Sequence, residues 1–166
     1  MKKYFFISLL ILNMMSGLVL NVYAEPVKPS KVTSPSCQQL TGEWLNELGS
    51  TLHITNVDKK SGQLSGTYTS PSGTSGNSVR MIGWMNAKSS AAKVTKESPT
   101  LSRMVVVSFS VNWGDYGSVT SWSGVCSMKE GQSTIKTIWN LARTVDSYDW
   151  DHIITNSDTF VPKVKQ

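Results

Sequence analysis

Few side chains in this chain can carry out covalent chemistry. Its 166 residues include two histidines, His53 and His152, and two cysteines, Cys37 and Cys126. These cannot build a multi-ligand zinc site on their own, so no metal is expected. There is no Gly-x-Ser-x-Gly elbow, and only the two histidines could serve as a base. The abundant groups are those that bind: six Trp, 25 Ser and 15 Thr, against only 16% charged residues. Indole faces cover apolar rings, and hydroxyls both donate and accept, so the set suits a non-catalytic pocket for one small ligand. An interior built for stability alone would use Leu, Ile and Val, because a buried hydroxyl without a partner costs free energy. A lectin-like or peptide-binding module with aromatic platforms fits the same composition. Cofactors and catalysis are not expected.

The elements that must position these groups begin after an address segment. Lys2 and Lys3 precede the apolar run Tyr4–Leu12, and Val22-Tyr23-Ala24 stands before Glu25-Pro26. That layout predicts a secretory signal peptide over residues 1–24, cleaved after Ala24, and a secreted protein, extracellular or periplasmic, with no membrane span after cleavage. Cleavage removes two lysines and lowers the formal charge from +5 to +3. No basic stripe remains, so nucleic acid is not an expected partner. Residues 25–36 hold three prolines and read as a flexible linker, 37–163 as the folded domain and 164–166 as a tail. In an oxidising compartment Cys37 and Cys126 suggest one disulfide, with two free thiols as the alternative.

From Thr41 onward short alternating runs are separated by turn residues. They are Gly42–Asn46, Thr51–Val57, Gln63–Ser70, Ser78–Asn86, Arg103–Trp113, Ser118–Met128, Ser133–Arg143 and His152–Pro162. Val105, Val107, Phe109, Val111 and Trp113 share one face, as do Ser118, Thr120, Trp122, Gly124 and Cys126. No run shows a sustained helical stripe. Eight sequential strands with short turns predict an all-β, eight-stranded antiparallel up-and-down barrel, whose interior holds side chains or one small ligand.

Six strings in this order carry a resemblance: Thr41–Ser50, Leu64–Ser70, Phe109–Trp113, Thr120–Gly124, Thr137–Leu141 and Asp158–Phe160. They resemble the avidin/streptavidin family of biotin-binding proteins across Cys37 to Lys163. The resemblance implies biotin as the bound ligand. Asn46, Ser50 and Tyr68 would donate to its ureido oxygen, and Asp158 and Ser70 would accept from its two N–H groups. Trp113, Trp122 and Trp139 would wall the bicycle, with Thr120 near the sulfur. Leu48 and Leu141 stand equally well as pocket wall or as core. Ser118 and the loop Pro71–Asn77, especially the backbone of Gly73 and Thr74, would meet the carboxylate end. Trp150 would reach from a neighbouring subunit, implying a homo-oligomer, a tetramer ahead of a dimer. Trp44 is expected in the core, and Trp84 matches no binding position. The pair Cys37/Cys126 matches the intrachain disulfide of the animal members. Asp115 and Tyr116 occupy a turn that varies in the family, and Asp115 would repel a carboxylate tail there.

Overall fold

The structure is a computed structural model, and it describes residues 34–72, 76–86, 104–144, 147–148 and 150–164. All of these belong to one compact unit, Val32–Gln166. The expected signal peptide, most of the expected linker, Gly73 and Thr74 lie outside the described residues.

Among the described residues eight strands form: β1 (Gly42–Asn46), β2 (Thr51–Val57), β3 (Gln63–Thr69), β4 (Ser78–Met85), β5 (Val105–Asn112), β6 (Ser118–Lys129), β7 (Gln132–Arg143) and β8 (Ile153–Pro162). Each pairs antiparallel with the next, and β1 pairs with β8 to close a barrel. The expected architecture is therefore the observed one, with strand ends shifted by at most two residues. Closure leaves no edge strand unpaired.

The period-2 alternation does the sorting. In β5 Val107, Phe109 and Val111 are buried while Val106 points outward, and in β6 Thr120, Trp122 and Cys126 are buried. Small residues let the strands coil tightly. A Cβ at Gly124 would collide with the carbonyl of Lys136 on β7, and one at Gly66 with that of His53 on β2. Glycine is required at both inward positions for the backbones to approach.

The two ends of the barrel differ. At one end the segment before β1 folds in as a plug. A bridge joins Ser36 and Gln39, and Cys37 and Leu40 are buried there. The Cys37 N–H donates to Ser133 Oγ at 3.2 Å. Trp44, fully buried in the core as expected, donates its indole N–H to Leu40 O at 2.9 Å. A disulfide joins Cys37 to Cys126 on β6, so the pairing alternative is the realised one. Pro35 is also buried, so the fold begins slightly before the expected end of the linker. The connections β1–β2, β3–β4, β5–β6 and β7–β8 all gather at the other end. There the β5–β6 link is a 3-10 turn, Gly114–Tyr116, with Gly117 in the left-handed region at φ 60°.

Candidate functional site

A cavity of about 290 Å³ opens at the end opposite the disulfide. Asn46, Ser50, Tyr68, Ser70, Thr120 and Asp158 supply its polar lining, with Ser72 added from the β3–β4 connection. Trp113, Trp122, Trp139, Leu48 and Leu141 supply the apolar lining.

The polar floor is built on Asn46, the last residue of β1 and buried. Its Oδ1 accepts the backbone N–H groups of Leu48 at 3.1 Å and Ser50 at 2.7 Å, across the tight turn to β2. Those two bonds fix which way the amide faces, so Nδ2 points at Asp158 and donates to Oδ1 at 3.2 Å. The second carboxylate oxygen accepts the Trp122 indole N–H at 2.8 Å. Asp158 is 3% exposed, and both of these partners are neutral donors. Such bonds to an ionised acceptor are stronger than neutral ones and hold the carboxylate in one orientation. Two more contacts steady its strand. Thr137 Oγ1 donates to Asp158 O at 3.3 Å, and Glu47 accepts the backbone N–H of Thr159 at 2.9 Å.

Opposite the carboxylate stand hydroxyls. Burial pushes the Tyr68 phenol up to about 12, against a hydrogen bond from Ser50 that lowers it, and the charges of Asp158 and Glu47 add to the rise. Tyr68 is therefore a protonated donor throughout the neutral range. Its ring lies 4.9 Å from that of Trp122, which stacks on Phe109 at 4.9 Å and 13°. Trp113 meets Tyr68 edge-on at 5.9 Å, and its indole N–H donates to Thr120 Oγ1 at 2.7 Å. With its lone pair so engaged, the Thr120 hydroxyl proton is left to turn elsewhere. Trp113 and Trp139 are only partly buried and form the upper walls. No buried side-chain N or O atom among the described residues lacks a hydrogen-bond partner.

The fold thus brings together most of the residues singled out by sequence. Ser118 is not part of the cavity lining; it lies at the rim, where its carbonyl accepts the Trp113 N–H. Trp150 is 79% exposed and stacks on Tyr148 at 4.7 Å, outside this chain's cavity. Leu48 lines the cavity while remaining 71% exposed, which makes it mouth rather than core. Trp84 is half exposed on the outer face of β4.

Sequence reasoning did not single out Glu47 or Thr137, and it reached Ser72 only as part of the Pro71–Asn77 loop. Glu47 carried a usable signal, since it directly follows Asn46 in a turn that must face β8. Thr137 carried none beyond its inward phase on β7. Neither histidine enters the site: His53 sits on β2 in register with Glu43 and Thr67, and His152 Nδ1 bonds the Arg143 carbonyl. A second recess, about 460 Å³, lies at the plugged end among Gln38, Gln39, Leu40, Thr41, Val57, Lys59 and Met85, and no buried polar side chain lines it. No group of three or more metal-ligating side chains occurs among the described residues.

Comparison with known proteins points the same way. A family model described as the avidin family matches residues 34–163. Avidin of Gallus gallus is 31% identical over 114 residues, covering 67% of this chain and 69% of that protein. Avidin-related protein 4/5 of the same organism is 30% identical over 114 residues, with the same coverage.

Proposed function

The chain belongs to the avidin family, and on that premise we propose that it is a non-catalytic binder of biotin. The observation that carries the reading is the polar floor. A carboxylate held by neutral donors faces a buried hydroxyl pair, Ser50 and Tyr68, and a fixed amide, Asn46. A cyclic urea offers the complementary pattern, two N–H donors flanking one carbonyl oxygen. Asp158 accepts one N–H and Ser70 the other. Tyr68, Ser50 and the second proton of Asn46 Nδ2 converge on the oxygen. Donors on the oxygen and a carboxylate on the N–H polarise the ureido group in one direction, and networked bonds strengthen one another at low dielectric.

Trp113, Trp122 and Trp139 enclose the apolar bicycle, with Leu48 and Leu141 at the mouth. Thr120, accepting from Trp113, turns its hydroxyl toward the thioether. Ser118, Gly73 and Thr74 meet the valeryl end. Trp150, exposed here, covers the site of a second copy, so the working form is a homo-oligomer, a tetramer ahead of a dimer, secreted from the cell. Much of the affinity comes from preorganisation: Asn46 and Asp158 are already fixed, so little ordering remains to be done on binding.

Biotin titration calorimetry joined to native mass measurement tests the reading. The expected result is one biotin per chain, an oligomeric mass and a large rise in melting temperature. A ligand at about 1,000 times its Kd stabilises the native state by about 4 kcal/mol. No thermal shift at saturating biotin, or equal release from biotin resin by sugars, overturns it.

A further inference from the structure

Asn46 and Glu47 are consecutive, and so are Asp158 and Thr159; the two pairs meet where β1 ends against β8. On the inner side Asn46 Nδ2 donates to Asp158 Oδ1 at 3.2 Å. On the outer side the exposed Glu47 carboxylate accepts the Thr159 N–H at 2.9 Å. Strand register dictates that a side chain act there. Just past β8, the Lys163 N–H donates to Glu43 O at 2.9 Å, and two residues further along each chain Leu45 pairs with Val161. Alternate residues of an antiparallel strand turn their N–H groups to the same neighbour. Thr159 is the next in that series and falls opposite Glu47, one residue beyond the end of β1. By then the chain has left the ladder: Asn46 Oδ1 takes the N–H groups of Leu48 and Ser50, and Asn46 O takes that of Gly49. The Glu47 side chain supplies the acceptor that a continuing strand would have offered from its backbone, and an ionised acceptor makes the stronger bond.

Resting on the reading that Asp158 accepts an N–H of bound biotin, we propose that Glu47 is a positioning residue for Asp158. It touches no ligand; it holds the main chain of β8 one residue from the carboxylate. Without that bond β8 keeps its ladder to β7, but its β1 side can shift at the residue next to Asp158. A carboxylate so displaced meets Asn46 Nδ2, Trp122 Nε1 and the ligand at poorer angles, and hydrogen bonds weaken steeply as they bend. The charge of Glu47 also adds to the rise of the Tyr68 phenol. A variant that removes the charge and keeps an acceptor oxygen therefore separates the bond from the field.

Glu47→Ala and Glu47→Gln, made in the intact protein, are compared by two readouts. The first needs no ligand: hydrogen exchange of the Trp122 indole N–H, followed by NMR, because that proton is bound to Asp158 Oδ2. The second is the biotin off-rate. Glu47→Ala is expected to speed both, the off-rate by about two- to tenfold, the range of one hydrogen bond. Glu47→Gln is expected to recover most of the loss. In an Asp158→Ala background Glu47→Ala is expected to leave the off-rate unchanged, because residues that act through one another are not additive. A Glu47→Ala protein with a lowered melting temperature but wild-type exchange and off-rate overturns the inference. So does a Glu47→Gln protein no better than Glu47→Ala, or the same factor with and without Asp158. If indole exchange responds as expected and no form of the protein binds biotin, the biotin reading falls and the positioning of Asp158 by Glu47 stands.

Discussion

The two ends of this barrel use the same strands for opposite purposes. At the plugged end, inward positions carry Trp44, Leu64, Met81, Val107, Ile135 and Cys126, all essentially inaccessible, and a disulfide ties the plug to β6. At the open end, inward positions of the same strands carry Asn46, Thr120, Thr137 and Asp158, equally buried but polar, each with a hydrogen-bond partner. Apolar burial contributes stability wherever it occurs. A satisfied polar network contributes less net stability, but it specifies one arrangement. The two ends therefore differ in chemistry, with an apolar, disulfide-tied plug at one and a buried polar network lining a cavity at the other.

Four outcomes break or sharpen this contrast. Trp44→Ala removes the largest fully buried side chain and is expected to cost about 3–5 kcal/mol of stability. Denaturant titration reads this, while biotin affinity of the folded fraction stays near wild type. An equal loss of affinity would dissolve the distinction between the ends. Replacing Cys37 and Cys126 together by Ala is expected to cost about 2–5 kcal/mol, since the bond closes a separation of 89 residues. Thermal unfolding of the double variant measures it, again with binding preserved.

The reverse pattern is expected for Asp158→Ala. On the biotin reading its loss strips the ligand N–H of its acceptor, and it leaves Trp122 Nε1 and Asn46 Nδ2 without theirs. Affinity should fall by about 2–5 kcal/mol, read as a faster biotin off-rate, and stability by less. An unchanged off-rate would remove Asp158 from the site.

The smallest effect is one of pH. Tyr68 has its folded pKa raised to about 12 from 10.0. Below pH 10 both folded and unfolded states keep the proton, so stability there is unaffected by this group. Between about 10 and 12 the unfolded chain has lost a proton that the native state retains, so stability falls as pH rises. Tyr68→Phe should flatten that limb in alkaline denaturation, and an unaltered limb would assign it to other groups.

The strands were readable in the sequence because each is a short alternating run ended by Gly, Asp, Asn or Ser. The β6–β7 hairpin was read with its strands too short. Glu130 and Gly131 alone make the turn, both at positive φ (53° and 80°), so Lys129 and Gln132 join the ladder. A glutamate there gives no warning, because such turns favour Asn or Asp ahead of Gly. The 3-10 turn after Trp113 was equally silent, being three residues without periodicity. Asn46, Tyr68, Trp122 and Asp158 were named from strings that resemble a family. Their mutual bonds were not legible, because Asn46 and Asp158 stand 112 residues apart and meet only when the barrel closes. Glu47 and Thr137 hold backbone rather than face the cavity, so residue type alone did not separate them from surface polar groups.

That closure has a mechanical corollary. The seam between first and last strands has only three register pairs, Trp44–Pro162, Leu45–Val161 and Asn46–Phe160, whereas β6 and β7 zip along their whole length. The bonds from Asn46 to Asp158 and from Thr159 to Glu47 sit where that short seam runs out. A ligand gripped by both Asn46 and Asp158 would act as a rivet through the joint. It would fasten the beginning of the barrel to its end, so that the motion most able to unzip the cylinder would also have to expel its guest.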